Sequence, residues 1–243
     1  MSESPQIGLI IPSFNDRHWL EGLFESLYSV DAGTTFIPAI VDDQSDDGSE
    51  LWMKEFLNGY AVVVRPTEKA YFTRACNIGI DYHRNNTRAE FYFLLNSDTT
   101  VTPDWGAALV ATSLKLNAGI IGATCLLPDG RVHHAGGFGA GEHFGIMRPW
   151  VDFKQDRIVP WVTGAAMCIK KEVVDKIGFL PTSGGVRQYD ASDRNFCINA
   201  RMQGFEVAVS AGCVIYHHTR EAEDERRRLG QYDHPAMQRE DRR

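Results

Sequence analysis

Residues 91–105 are Phe-Tyr-Phe-Leu-Leu-Asn-Ser-Asp-Thr-Thr-Val-Thr-Pro-Asp-Trp, an apolar run that stops abruptly in polar residues. The five apolar residues 91–95 predict a short strand buried on both faces. The polar turn Asn96-Ser97-Asp98 follows, and Pro103 indicates the start of a helix. Because open α/β sheets bind ligands at the carboxyl ends of their strands, Asp98 is a candidate ligand for a divalent cation that holds a diphosphate. The alternative is that Asp98 only shapes a turn.

Strands and amphipathic helices alternate through the part of the chain that precedes this run. Apolar runs predict strands over 7–11, 36–41 and 61–64. Apolar residues at helical spacing predict helices from residue 19, from about residue 49 and over 71–82. Such alternation with short connections predicts a parallel sheet with right-handed crossovers.

The second half of the chain has a different pattern. A helix is predicted over 103–116, followed by a strand over 120–127 and a hairpin turn at Pro128-Asp129-Gly130. The glycine-rich residues 136–141 follow this hairpin rather than joining a strand to a helix, so they predict a loop and not a dinucleotide site. The remaining predicted elements are a strand over 159–169 interrupted by Gly164, helices over 171–177 and 191–202, a helix end at Gly204, and strands over 207–209 and 214–216.

The composition indicates one sizeable globular unit. The 243 residues are 43% hydrophobic and 23% charged, and the net charge of −7 argues against a surface built mainly for nucleic acid or an anionic membrane. No apolar run approaches the roughly 20 residues of a transmembrane segment, and the start lacks signal-peptide character. The five cysteines show no CxxC spacing, which predicts free thiols and a cytoplasmic protein.

Acidic residues and histidines recur at predicted strand ends and at the start of a late helix. Carboxylates gathered at one crevice repel each other unless a cation or hydrogen-bond donors offset them. This clustering predicts a metal-dependent site for a phosphorylated ligand. The residues are Asp42, Asp43, Asp98, Asp190, Asp193, His217 and His218.

Six motifs stand in a characteristic order. They are Ile10-Ile11-Pro12-Ser13-Phe14-Asn15, Val41-Asp42-Asp43-Gln44-Ser45-Asp46-Asp47-Gly48-Ser49, Arg74-Ala75-Cys76-Asn77-Ile78-Gly79-Ile80, Leu95-Asn96-Ser97-Asp98, Val162-Thr163-Gly164-Ala165-Ala166-Met167 and Ser192-Asp193-Arg194-Asn195. Together they resemble a family 2 glycosyltransferase over roughly residues 5–218. The resemblance implies the α/β GT-A fold, with a Rossmann-like, mostly parallel central sheet flanked by helices and a smaller acceptor-side sheet.

The resemblance also implies a domain organisation. A single GT-A domain would cover residues 1–218, with a nucleotide-sugar half over about 1–100 and an acceptor half over 101–218. The composition itself shifts at Thr219 to charged residues of both signs, which predicts a charged C-terminal tail over 219–243, either a solvated helix or a disordered segment.

The resemblance assigns roles residue by residue. Asp98 and His217 would bind Mn²⁺ or Mg²⁺, with His218 as the alternative to His217. Asp193 would be the general base, with Asp190 as the alternative. The residues that would contact the nucleotide sugar are Pro12, Ser13, Asn15, Asp42, Asp43, Arg74, Asn77, Asn96 and Ser97.

Other polar and aromatic residues have plainer interpretations. Asp46 and Asp47 indicate a helix N-cap rather than ligands. Arg74 either binds phosphate or pairs with a surface acid. His133 and His134 are expected to be ordinary loop residues, with contact to the acceptor as the alternative. Trp105 and Trp161 are expected to pack in the interior.

The residues and the resemblance together predict a metal-dependent glycosyltransferase that uses a nucleotide-diphosphate sugar, a UDP-sugar first of all, and the resemblance implies that the transfer is inverting. The acceptor hydroxyl belongs to a glycan, a small molecule, a protein or a modified nucleic-acid base; the residues do not distinguish these. One alternative is a catalytically degenerate module that holds a sugar nucleotide without turnover. A nucleotidyltransferase is less favoured, because residues 12–16 do not form the basic, glycine-rich loop that such enzymes use.

Overall fold

The computed structural model describes residues 5–138, 142, 143, 150, 153–182 and 192–219. Three features considered above lie wholly or partly outside these residues: the alternative base Asp190, the tail from residue 220 onward, and part of the glycine-rich segment.

The first half of the chain builds the parallel part of the sheet. Strands β1, β2, β3 and β4 pair in the order β4-β1-β2-β3, all parallel, and helices α1, α2 and α3 connect them. All five residues of β4 are buried, as expected for a strand covered on both faces. The bounds are β1 Ile7–Ser13, α1 Arg17–Ser29, β2 Phe36–Asp42, α2 Ser49–Phe56, β3 Val62–Val64, α3 Tyr71–Asn86 and β4 Phe91–Leu95.

The second half continues the same sheet and adds antiparallel pairs. Strand β11 lies antiparallel between β4 and β6, and β12 pairs parallel with β6. Within the described residues the sheet has ten strands, with the path β10-β12-β6-β11-β4-β1-β2-β3, β5 on β12 and β7 on β6, and β8 and β9 form a separate pair. The bounds are β5 Thr99–Val101, α4 Trp105–Leu116, β6 Ala118–Leu126, β7 Val132–His134, β8 Gly137–Phe138, β9 Glu142–His143, β10 Arg157–Ile158, β11 Ala166–Lys170, α5 Lys171–Ile177, α6 Ser192–Met202 and β12 Glu206–His217.

The predicted fold class is confirmed, and the differences are local. The two late strands are one continuous strand, β12, with a register shift between Ser210 and Val214. The strand predicted over 159–169 is wrong in its first part, because the chain there forms a loop and β11 begins only at Ala166. Strand β5 was not predicted. His133 and His134 lie on β7 rather than in a loop.

The core lies on both faces of the sheet. Trp105 is fully buried, with its ring centroid 5.3 Å from that of Phe36 and 5.4 Å from that of Phe93. All five cysteines are free and buried, and burial raises the pKa of the Cys125 and Cys197 thiols to about 12. None of the described helices is long and apolar enough to cross a membrane.

Gly79 on α3 packs directly against β1, and a Cβ atom at this position would overlap the buried side chain of Ile10. We expect Gly79→Ala to lower the free energy of unfolding by about 1–3 kcal/mol, because the helix must move away from the sheet. The matched control is Gly22→Ala on α1, where an added Cβ meets nothing within 4 Å. That variant should gain about 0.5–1 kcal/mol of stability from helix propensity. Urea denaturation measures both, and equal effects would contradict the close helix–strand packing.

His83 is a buried titratable group away from the acidic residues described above. Its ring packs against Gly8, its Nε2 lies 3.2 Å from the carbonyl oxygen of Leu9, and its Nδ1 has no hydrogen-bond partner among the described residues. Burial lowers the pKa of His83 below its usual value of 6.5. Below that pH the unfolded chain takes up a proton that the folded chain resists, so stability falls as the pH falls.

We therefore expect His83→Gln to remove part of the acid sensitivity of the fold. The amide of glutamine still donates a hydrogen bond, but it does not titrate. Between about pH 7.5 and about pH 5.5 the wild-type protein should lose up to about 1.4 kcal/mol more stability than the variant. Urea denaturation at the two pH values measures this difference, and the same loss in both proteins would exclude His83 as its source.

Candidate active site

A cavity of about 820 Å³ opens at the carboxyl ends of the parallel strands. It lies where the strand order places the crevice of an open α/β sheet. The loops after β1, β2 and β4, the start of α6 and the end of β12 all contribute residues to its lining. The described lining residues are Pro12, Ser13, Phe14, Asp16, Asp43, Lys69, Tyr71, Phe72, Ala75, Asn96, Ser97, Asp98, His133, Thr163, Ala165, Ser192, Asp193, His217 and Thr219.

Asp98 and His217 face each other in this cavity. Strand β5 follows Asp98 directly and pairs antiparallel with β12, with Thr99 opposite His217. The Nε2 atom of His217 lies 3.2 Å from Oδ1 of Asp98, and both side chains are largely buried. The backbone N–H of His218 donates to the carbonyl oxygen of Asp98 at 2.9 Å. This main-chain hydrogen bond also holds the turn at Asp98 against the end of β12.

His218 is directed away from this pair. Its Nε2 lies 2.8 Å from Oγ1 of Thr100, and its ring centroid lies 5.4 Å from that of Trp19. Neighbouring residues at the end of a strand point to opposite faces of the sheet, so only one of the two histidines can face Asp98. His217 is the one that lines the cavity.

The Asp98–His217 pair has the chemistry and the spacing of a half-complete metal site. Ligands on an octahedral Mg²⁺ or similar ion have bonds of about 2.1 Å, so neighbouring ligand atoms lie roughly 3 Å apart. The separation of 3.2 Å between the two side chains fits this requirement. Among the described residues no group of three or more His, Cys, Asp or Glu side chains converges to hold a metal. The remaining ligands would therefore be water and phosphate oxygens, as is usual for Mg²⁺.

Asp43 is held rigidly at the end of β2. Its carboxylate accepts the backbone N–H groups of Ala70 and Tyr71 at the start of α3. The ammonium group of Lys69 lies 3.5 Å from the same carboxylate and stands over the ring of Phe14. Tyr71 has a φ of +57°, a left-handed conformation that is strained for an aromatic residue. These residues form a preorganised wall with acidic, cationic and aromatic groups.

Asp16 joins the loop after β1 to the turn after β4. Its side chain is buried, and Oδ2 accepts the hydroxyl of Ser97 at 2.7 Å and the backbone N–H of Phe14 at 3.3 Å. Two polar atoms beside this link, Oγ of Ser13 and Oδ1 of Asn96, are buried without a hydrogen-bond partner in the described part of the chain. Unpaired buried polar atoms in a cavity wall are suited to bind a ligand.

Asp193 also lines the cavity, from the first turn of α6. Its Oδ2 accepts the backbone N–H of Gly164 at 2.9 Å, and its Oδ1 accepts that of Arg194 at 2.7 Å. The same loop is fixed a second time, because Nε2 of His134 accepts the N–H of Thr163 at 3.1 Å. The loop that precedes β11 therefore holds Asp193 in place.

Four predicted ligand-binding residues do not line the cavity. Asp42 is fully buried and pairs with Arg65 and the N–H of Ser45. Asn15 exchanges hydrogen bonds with Asp46.

The two predicted residues on α3 also face elsewhere. Arg74 is half-exposed with its guanidinium 3.8 Å from Glu68, which is the surface pairing weighed above. The amide of Asn77 forms two hydrogen bonds with the backbone of Leu180, at 2.9 and 3.0 Å. Asn77 thus ties α3 to the segment after α5.

Asp16, Lys69 and His133 also line the cavity. The motifs did not indicate Asp16 or Lys69 as site residues, and His133 was expected to be a loop residue, with contact to the acceptor as the alternative. Asp16 directly precedes α1, where an acid indicates only a helix cap. The two adjacent histidines after the hairpin gave a weak indication that one of them faces the cavity. Successive side chains on a strand point to opposite faces of the sheet, so one of the two must lie on the cavity side.

The fold and the cavity define a GT-A type α/β protein with an acidic, metal-compatible crevice. The family model described as Glycosyl transferase family 2 matches residues 9–178. The chain belongs to this family. The predicted family is thereby confirmed, and the expectation of a glycosyltransferase is supported at the level of the family.

Two curated relatives extend this similarity over most of the chain. Uncharacterized protein y4gI of Sinorhizobium fredii (strain NBRC 101917 / NGR234) is 27% identical over 235 residues, which are 90% of this chain and 25% of that protein. O-antigen biosynthesis protein RfbC of Myxococcus xanthus is 25% identical over 229 residues, 88% of this chain and 17% of that protein. The chain thus spans a quarter or less of the length of these relatives.

Solved structures share the fold at low sequence identity. GalNAc-T7 with UDP, GalNAc and Mn²⁺ has a TM-score of 0.68 at 15% identity, over 90% of this chain and 44% of that one. S. aureus TarS 1–349 in complex with UDP-GlcNAc has a TM-score of 0.63 at 16% identity, over 89% and 59%. Mannosyltransferase PcManGT from Pyrobaculum calidifontis with GDP-Man and Mn²⁺ has a TM-score of 0.62 at 17% identity, over 95% and 62%.

Proposed function

We propose that the protein transfers a sugar from a nucleotide-diphosphate sugar, first of all a UDP-sugar, to an acceptor hydroxyl with inversion at the anomeric carbon. The observation that carries this proposal is the pairing of Asp98 with His217 at 3.2 Å in a cavity that also contains Asp193. Proteins of similar fold have been solved with UDP, UDP-GlcNAc or GDP-Man, and two of these structures also contain Mn²⁺. They support the proposed class of donor.

The nucleoside would lie against the wall formed after β1 and β2. The carboxylate of Asp43 has more acceptor positions than the two backbone N–H groups occupy, so it is able to accept a further N–H or O–H from a base or a ribose. The unpartnered Oγ of Ser13 and Oδ1 of Asn96 offer further contacts in the same region. Pro12 and Phe14 supply apolar surface beside them.

The diphosphate would lie between this wall and the Asp98–His217 pair. A divalent cation held by Asp98 and His217 would act there as a Lewis acid that stabilises the departing diphosphate. Lys69 is the lysine among the described lining residues and adds positive charge on the nucleoside side. Ser97, held by Asp16, keeps the turn that carries Asp98 in one conformation.

Asp193 would take the proton of the acceptor hydroxyl. The N–H groups of Gly164 and Arg194 fix its carboxylate, and each oxygen keeps lone-pair capacity for a further proton. A base is most effective when the attacking hydroxyl lies opposite the leaving group, and such a single displacement inverts the anomeric carbon. Asp193 on α6, Asp98 directly before β5 and His217 at the end of β12 line the same cavity from different elements, which is compatible with this arrangement.

Two further expectations are proposals about the whole chain. We propose one GT-A domain over 1–218 with a donor half and an acceptor half, followed by the charged residues 219–243. We also propose a reducing compartment, the cytoplasm, as the location, because all five cysteines are free and buried.

Donor turnover tests the proposal without knowledge of the acceptor. In the presence of Mn²⁺ we expect slow release of nucleoside diphosphate from one member of a panel of UDP-, GDP- and dTDP-sugars. Chelation of the metal, or Asp98→Ala, should lower this release by a factor of about 100 or more, because the cation supplies several kcal/mol of charge stabilisation. The matched control is Asp81→Ala on the exposed side of α3, which should leave the rate unchanged.

Asp193→Asn distinguishes loss of the general base from loss of metal binding in the same assay. It should slow release while UDP and Mn²⁺ still raise the melting temperature as in the wild type. If no donor is cleaved and UDP with Mn²⁺ does not stabilise the protein, the proposed function is wrong. Binding without release would instead support a sugar-nucleotide-binding module.

Asn77 and Asn96 make a second test, because the two amides differ in their surroundings. Asn77→Ala breaks two hydrogen bonds to Leu180 and should cost about 1–3 kcal/mol of stability with UDP affinity changed less than about twofold. Asn96→Ala removes a buried oxygen that has no hydrogen-bond partner among the described residues, on a residue that lines the cavity, and should weaken UDP binding by about 3–10-fold with little loss of stability. Calorimetry and urea denaturation measure both quantities. If Asn77→Ala loses UDP affinity and Asn96→Ala does not, Asn77 and not Asn96 contacts the nucleotide.

A further inference from the structure

His133 lies in the cavity beside His217, and no role in the reaction is assigned to it above. The two Nδ1 atoms are 3.2 Å apart, and the ring centroids are 5.0 Å apart with the planes at 61°. His133 is carried by β7, which pairs with β6, the neighbour of β12 in the sheet. The histidine pair is therefore built by regular strands and not by a loose loop.

His133 contacts the ring nitrogen of His217 that is remote from Asp98. Nε2 of His217 faces Asp98, and Nδ1 faces His133. An imidazole binds a metal ion through a lone pair, so coordination through Nε2 requires the proton of His217 to be on Nδ1. That N–H then points at Nδ1 of His133, which has to be the acceptor.

We propose that His133 is a positioning residue that accepts the Nδ1–H of His217 and so holds the Nε2 lone pair towards the cation. This inference rests on the proposed function, in which Asp98 and His217 bind a divalent ion. Partners that accept the second N–H of a ligating histidine fix its tautomer and its ring orientation and raise its basicity. His133 itself is not a ligand, since its nearest ring nitrogen meets the far side of His217 and no three-residue metal cluster exists in the described chain.

If both rings are neutral, the same geometry implies that both change tautomer when the cation binds. Without the ion, the contact of 3.2 Å between Nε2 of His217 and Asp98 is a hydrogen bond when Nε2 carries the proton. Nδ1 of His217 then accepts a hydrogen bond from Nδ1–H of His133. With the ion, His217 carries its proton on Nδ1 and His133 carries its proton on Nε2. Each ring loses one proton and gains one by exchange with water, so neither ring changes its charge.

A matched pair of substitutions tests this role. In His133→Asn the amide oxygen occupies nearly the position of Nδ1 and is an acceptor, whereas His133→Leu has the same branched shape without an acceptor. Mn²⁺ is titrated into the full chain with saturating UDP, and free Mn²⁺ is followed by its electron paramagnetic resonance signal. We expect the Leu variant to bind Mn²⁺ about 10–100-fold more weakly than the wild type, and the Asn variant to stay within about threefold. His18→Phe, an exposed histidine on α1, is the control and should bind as the wild type does.

The tautomer itself gives a second readout that a merely structural role would not change. Two-bond proton–nitrogen correlation spectra of ring-labelled histidines are recorded with Mg²⁺ and UDP, and His217 is assigned from a variant that lacks it. We expect His217 as the Nδ1–H form in the wild type and in His133→Asn, and a mixture of forms in His133→Leu. If the Leu variant does not fold, His133→Phe supplies a second side chain without an acceptor.

The outcomes separate this role from the proposed metal site. Mn²⁺ binding by the wild type and equally by the Leu variant would overturn the role of His133 alone. An Asn variant as weak as the Leu variant would also overturn it, because the acceptor would not be what matters. A wild-type protein that binds no Mn²⁺ with UDP would overturn the metal site and the role of His133 with it.

Discussion

Burial of β4 on both faces is the constraint from which the position of the site follows. Every residue of the strand is buried, with β1 paired on one side and β11 on the other. Polar side chains can therefore follow only where the strand leaves the sheet, in residues 96–98. Each of the three residues is tied to a different element: the N–H of Asn96 to Ala165, the hydroxyl of Ser97 to Asp16, and the carbonyl of Asp98 to His218. The turn is rigid because its neighbours hold it.

Strand β11 makes one cavity out of two halves of the chain. It runs antiparallel to both β4 and β6, so the loop before it, residues 163–165, lies beside the carboxyl end of β4. That loop binds Asp193 through Gly164 and is anchored by His134 through Thr163. The pairing of β11 with β4 therefore sets the relative position of the candidate base and the candidate metal ligands, although they are far apart in sequence.

Local patterns were sufficient for the parallel half, where β4 and the strands before it form at or within two residues of the predicted bounds. They failed where the decisive partner is remote. Strand β5 has only three residues, Thr99–Val101, and exists because β12 pairs with it. Residues 159–165 are apolar enough for a strand, yet Trp161 packs on Gly137 and the chain bends into a loop. Asn77 fits a ligand-binding motif, but its amide is taken by Leu180, a contact that no local pattern reveals.

The charge of the cavity supports the proposal that a cation binds at this site. Four aspartates, namely Asp16, Asp43, Asp98 and Asp193, are among the described lining residues, against one lysine and no arginine. Three of these carboxylates each accept two hydrogen bonds from backbone N–H or hydroxyl groups. The donors are Ala70 and Tyr71 for Asp43, Gly164 and Arg194 for Asp193, and Ser97 and Phe14 for Asp16. A diphosphate entering such a cavity would add negative charge to an already acidic wall, which costs free energy at short range in a partly buried site. Asp98 faces His217, a residue type that binds metals, at a place where a divalent ion would offset both charges. The proposed divalent ion would thus make an acidic crevice compatible with an anionic donor.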